Sequence, residues 1–193
     1  MLSLKERIEL LESDLAATPM RISVYRDLPF AILRYDPQDE WRLRREAGLL
    51  ATRLSDVGKK VRIISLAALL WKAIDTTEGI DAVAMTERER GFEAAQRQVT
   101  TYMSDPVWAP LPDLLAGQMD GLDPRRHVVF LTRAATMAPA IYHMSALLDA
   151  MQGRSDVPTV LFYPGTQEGP TGLRFMGLTD REALSNYRVK IYG

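Results

Sequence analysis

Arg133 and Arg174 stand where the chemistry of this chain would concentrate. The first comes with Thr132 directly after an apolar run at 128–131, and the second follows Gly165, Gly169 and Gly172. A guanidinium makes paired hydrogen bonds to carboxylates or phosphates, so either arginine could hold an anion or an acidic partner loop. Either fits equally well as one half of an internal ion pair. Tyr163 and Phe175 flank the glycine-rich segment, and aromatics beside an arginine are the residue types that anchor interfaces. Thr132 and Arg133 admit a second chemistry, as sensor-like residues near the γ-phosphate of a bound nucleotide.

The other constellations are incomplete. A phosphate-wrapping loop needs GxxxxGK[ST] between a strand and a helix, and no such run occurs. Gly58-Lys59-Lys60 precedes an expected strand, so the glycine reads as a helix end and the lysines as solvated. The glycines at 165, 169 and 172 lead into Leu173-Arg174-Phe175-Met176, itself strand-like, which supplies no helix N-terminus to an anion. His127 and His143 are the two histidines and there is no cysteine. Neither histidine therefore has a second ligand at zinc spacing. Asp36, Asp39 and Glu40 could hold magnesium as hard oxygen donors. A helix cap at Asp39 and a dipole-matched Glu40 account for two of them. No GxSxG elbow presents a serine nucleophile. The expectation is a chain with no catalytic set, no metal and no cofactor.

The elements that would position these residues are read from periodicity. The runs at 128–131 and 159–163 are apolar without alternation, as in parallel strands buried on both faces. Between them Ile141, Met144, Leu148 and Met151 repeat at helical spacing, with Pro139 near the helix start and Gly153 at its end. This predicts a βαβ unit. Earlier, Leu4, Ile8, Leu11 and Leu15 mark an amphipathic helix over 1–18, either core or a docking helix. A buried strand is expected from Phe30, followed by a helix striped by Leu43, Ala47, Leu50, Leu54 and Val57, then a second buried strand at 61–66 and a short apolar helix at 67–74. Residues 75–120 read as a helical insertion, with a stripe of Phe92, Ala95, Val99 and Tyr102 and a proline-punctuated loop at 105–112. Near the end, 173–176 and 187–192 look like strands around a short helix at 180–185. The predicted fold class is a single three-layer α/β domain over 1–193. It has helices on both faces of a mostly parallel sheet: four core strands, and one or two edge strands that are parallel or antiparallel.

Composition narrows the function. An apolar fraction of 47% and a charged fraction of 25% describe a globule rather than a disordered chain. A net charge of −1 offers no general attraction to nucleic acid or anionic membrane. Arg42, Arg44, Arg45 and Arg53, with Arg125 and Arg126, are interleaved with acids and read as a solvated face; a DNA-contacting surface is the alternative. No apolar run approaches the ~20 residues of a membrane span, and no secretory signal is visible. A cytoplasmic protein is expected.

Four segments carry a resemblance: LPFAILRYDPQDEWRLRREAGLLATRL, VTTYMSDP, VVFLTRAATMAPAIYHMSALLDAMQGRSDVPTVLFYPG, and GLRFMG with NYRVKIYG. From about Leu28 to Gly193 the chain resembles the BrxB family of the BREX bacteriophage-exclusion systems. The resemblance implies a cytoplasmic component of a bacterial antiviral island. Its neighbours there include the phosphatase-like PglZ, a DNA methyltransferase, a large ATPase and a Lon-like protein. It brings no catalytic residue with it. The expected function is a non-enzymatic assembly factor that binds PglZ or another BREX component, with Tyr163, Arg174 and Phe175 as the candidate docking surface. The alternatives are a degenerate P-loop-type nucleotide-binding domain using Thr132 and Arg133, and a DNA-contacting subunit.

Overall fold

The structure, a computed structural model, describes residues 2–22, 28–168, 172–178 and 189–193. Helix α1 (Leu4–Ala16) leads to β1 (Phe30–Tyr35), α2 (Glu40–Asp56) and β2 (Lys60–Ser65). A helical block follows: α3 (Leu66–Thr76), α4 (Gly79–Arg90), α5 (Phe92–Ser104) and α6 (Leu111–Met119). Then come β3 (His127–Thr132), α7 (Met144–Met151), β4 (Thr159–Glu168), β5 (Gly172–Phe175) and β6 (Lys190–Tyr192). The expected helix at 180–185 lies outside the described residues.

The sheet order is β2-β3-β4-β1-β6, all parallel, with β5 antiparallel to the far end of β4. Alternation along the strands divides the core into two layers. Ala31, Leu33, Tyr35, Val128, Phe130, Val160 and Phe162 pack under α1 and α2. Their neighbours Phe30, Ile32, Val129, Leu131, Leu161 and Tyr163 pack against α3, α5, α6 and α7. Both faces of β1, β3 and β4 are thus buried, which is why those runs lack polar alternation. The three-layer α/β fold stands as expected.

Local chemistry sets the helix ends. Ser3 and Glu6 form a capping box on α1, with Ser3 N–H donating to Glu6 Oε2 at 2.7 Å and Glu6 N–H to Ser3 Oγ at 3.3 Å. Leu11 and Leu15 are fully buried, so α1 is part of the core. Asp39 does not cap α2 with its side chain. A 3-10 turn at Pro37–Asp39 moves the cap back to Asp36, whose carboxylate accepts from Gln38 N–H at 3.0 Å. Gly58, at φ 81°, closes α2 in the left-handed region that favours glycine.

Other expectations change as well. The strand at 61–66 is an edge strand among the described residues, not a buried one: of these only β3 flanks it, and Ile63 is 49% exposed. Its apolar run buries Ile64 and packs Val61 partly against the opposite layer, and leaves Lys60 and Arg62 in solvent. The crossover helix begins at Met144 rather than near Pro139, since a proline disfavours helical backbone in the residue before it; Ala138 is extended and Ile141 sits in the preceding turn. Phe92 does not join the buried stripe of α5. It heads the helix after Gly91 and is 61% exposed, while Ala95, Val99 and Tyr102 are buried.

Candidate functional site

Open α/β sheets bind ligands beyond the C-terminal strand ends, at the point where successive connections leave toward opposite faces. Here that point lies at β4. Its neighbour β1 continues into α2 on one face, and its other neighbour β3 leads to α7 on the opposite face. Strand β4 does not stop there. It is paired with β1 as far as Tyr35 opposite Pro164, then runs on, and Gly165 to Glu168 pair with β5. A β4–β5 hairpin thus extends from this end of the sheet.

Tyr163 and Phe175 sit at the root of that hairpin. They are 1% and 8% exposed, and their rings meet edge-to-face at 5.4 Å. Gly165 permits this packing, because a Cβ there would collide with the Arg174 carbonyl oxygen and approach Tyr163 Cε1 at 2.9 Å. Arg174 is paired inside the hairpin. Its Nε donates to Glu168 Oε1 at 2.5 Å and its Nη1 to the Leu178 carbonyl at 3.2 Å. That hydrogen bond raises the guanidinium's pKa and lowers that of Glu168. Of the two readings of Arg174, the internal ion pair is present.

Thr132 and Arg133 lie apart, at the end of β3. Thr132 Oγ1 reaches the Ile64 carbonyl of β2 at 3.5 Å. Arg133 adopts φ 59°, rare for a residue with a side chain, and its carbonyl accepts from Thr136 Oγ1 at 2.8 Å. Its guanidinium is exposed. The five predicted residues therefore occupy three settings: a buried ring pair, a hairpin ion pair and a strained turn.

Several of the remaining candidates are also engaged in structure. His127 Nδ1 accepts from Asp123 N–H at 3.0 Å in a local turn, and His143 stands at the start of α7. No group of three or more His, Cys, Asp or Glu that could hold a metal occurs among the described residues. No described helix is long and apolar enough to cross a membrane. Arg53 bonds Glu12 of α1 through Nε at 2.9 Å, and Arg45 lies 3.9 Å from Glu46.

Two arrangements went unread in the sequence. The first joins sheet to surface. The Tyr35 hydroxyl donates to Glu40 Oε2, Arg44 Nε donates to Glu40 Oε1 at 2.7 Å, and the Arg44 guanidinium lies 4.5 Å over the Trp41 ring. Burial first, then the Glu40 bond and charge, push the Tyr35 pKa far up, so its proton stays in place. Trp41 is thus an aromatic platform among the arginines of α2. The spacings i,i+4 for Glu40 and Arg44 and i,i+3 for Trp41 and Arg44 were the available signal. The second is a cleft of about 530 Å³ between α4 and α5, lined by Thr86, Arg90, Ala94, Arg97, Gln98 and Thr101. Behind it Tyr102 donates to Glu78, and Tyr102 is pushed up to about 12 by burial and by that bond.

No curated protein and no solved structure matches this chain. The family described as BREX protein BrxB does match, over residues 62–191, from within β2 through β6. That is well over half of the molecule, and the chain belongs to the BrxB family, a component of BREX phage-defence systems.

Proposed function

We propose that this chain is a non-catalytic assembly factor of its BREX system, binding the PglZ-like phosphatase-superfamily protein or another BREX component. The observation that carries this reading is the β4–β5 hairpin at the sheet's switch point. There Tyr163 packs on Phe175 and Arg174 pairs with Glu168, so the candidate residues at this end of the sheet are committed to the hairpin's own structure. Family membership supplies the setting, and protein contact is the role left to a rigid α/β body in such a system. A cytoplasmic location is part of the same reading.

The test is co-expression of the tagged chain with each protein of its own operon, followed by affinity capture and size-exclusion chromatography. Retention of the PglZ-like protein in a complex of defined stoichiometry is expected. Retention of no neighbour, or nucleotide turnover by the isolated chain that vanishes on changing Thr132 or Arg133, would overturn the reading.

A further inference from the structure

We infer that the first two turns of α2, centred on Trp41, form a preorganised anchor for a partner protein. The matching surface on that partner is an apolar pocket rimmed by carboxylates. This rests on the assembly reading above and names its surface.

The anchor begins in the core. Tyr35 is the last residue of β1 and is fully buried. Its hydroxyl fixes one oxygen of Glu40; the other oxygen fixes Arg44, and Arg44 lies against one face of Trp41. Each group is held by the one before it, from the sheet outward. The stack does not hide the indole, however, since Trp41 remains 78% exposed. A cation–π pair formed only to cover a surface aromatic would leave less of it in water. A large aromatic held in one orientation and left bare loses little freedom when a partner covers it, and Trp and Arg dominate interface hot spots for that reason.

Charge selects the kind of partner. On a helix, residues three and four apart are neighbours, so Trp41, Arg44 and Arg45 form one patch, with Arg42 beside Arg45. Arg42 is exposed, and Arg45 is 72% exposed with its carboxylate neighbour at 3.9 Å. These two guanidiniums are available to carboxylates on a rim. The same stretch carries four acids, Asp36, Asp39, Glu40 and Glu46, against its three arginines. A polyanion would meet repulsion along with attraction and release few counterions. A protein surface can place its carboxylates against Arg42 and Arg45 and avoid the acids. The patch also adjoins the C-terminal end of β1, on the sheet edge that carries the β4–β5 hairpin. The family match begins at residue 62, beyond this patch, so the anchor stands on geometry alone.

The experiment uses the full chain and whichever purified operon neighbour the wild type retains. Trp41→Ala should weaken that complex by about 30-fold, the loss typical of a hot-spot residue. Its melting temperature should stay within a few degrees of wild type, because the ring is exposed. Arg42→Ala with Arg45→Ala should weaken it less and make the remainder less sensitive to salt. Tyr35→Phe, which removes only the hydroxyl at the root of the relay, should weaken it partially. With Trp71→Phe and Trp108→Phe, the remaining Trp41 fluorescence reports directly, and partner binding should protect it from acrylamide quenching. Unchanged affinity in Trp41→Ala, or unprotected Trp41 in a formed complex, overturns the anchor and leaves the assembly reading intact. Retention of no neighbour by wild type overturns both. Protection of Trp41 by oligothymidylate at physiological salt, in place of the protein, overturns the anchor in favour of nucleic acid.

Discussion

The Asp14 carboxylate accepts a hydrogen bond from the Tyr192 hydroxyl at 2.6 Å, although 178 positions of chain separate the two residues. The same carboxylate holds Lys190 Nζ at 2.5 Å and Arg21 Nε at 3.3 Å. Helix α1 is thereby clasped to β6, a three-residue strand that, among the described residues, has only β1 beside it. Burial opposes the charge on Asp14, but the bonds from Lys190 and Tyr192 and the charges of Lys190 and Arg21 outweigh it, so its pKa is lowered.

Asp14→Asn should therefore cost about 1.5–3 kcal/mol at neutral pH, the range for a hydrogen bond to a charged group. The sign of the pH dependence follows from the lowered folded value. The contribution is complete above the unfolded pKa of about 3.9 and is lost as pH falls through the folded one. Denaturant titrations of both proteins from about pH 7 to pH 2.5 should show the gap closing at the acid end. A gap of constant size would mean that the charge on Asp14 is not what stabilises the clasp.

Leu11 and Leu10 make a matched pair for testing whether α1 is core. Leu11 is fully buried and Leu10 is 50% exposed. Leu11→Ala should lose about 2–5 kcal/mol, through lost burial and the cavity left behind. Leu10→Ala should stay within about 0.5 kcal/mol of wild type. Equal losses at both positions would remove α1 from the core.

Gly165→Ala should destabilise the protein by about 1–3 kcal/mol, because the added methyl must displace the Arg174 carbonyl or the Tyr163 ring. The tyrosine and phenylalanine signals in a proton spectrum should shift together, as Tyr163 and Phe175 share one contact. A variant as stable as wild type would show that β5 is not held against β4 at this point.

Arg133→Gly should raise stability by roughly 1 kcal/mol, since glycine adopts φ 59° without the strain of a side chain. The isolated chain should hydrolyse ATP no faster than background, and the substitution should leave that unchanged. ATP turnover that depends on Arg133 would revive the nucleotide reading.

Duplex DNA should bind weakly and without sequence preference, since Arg53 is bonded to Glu12, Arg44 to Glu40, and the net charge is −1. Tight binding at physiological salt, weakened by Arg44→Ala with Arg45→Ala, would contradict this.

The sequence by itself determined the layers. Residues 128–131 and 159–163 had to be buried on two faces because they lack polar alternation, and helices α1 and α2 declared their inward faces at three- and four-residue spacing. Such patterns report the period of an element and the faces it buries, which are local properties. Tertiary structure alone decided which strand stood at the edge. The run VRIIS at 61–65 reads as a strand through Val61, Ile63 and Ile64, yet among the described strands it sits outermost, and a run this short does not record how many neighbours it acquires. The same holds for the candidate site. Arg174 met Glu168 because β4 and β5 turned back antiparallel, placing an acid six positions away within bonding reach. Asp14 met Tyr192 only once the whole sheet had formed between them. Trp41 lies off the stripe that begins at Leu43, so its exposure was legible in the helical spacing, although its tie to Tyr35 through Arg44 and Glu40 was not. Its outward place was fixed when Leu43, Ala47, Leu50 and Leu54 took the inward face of α2.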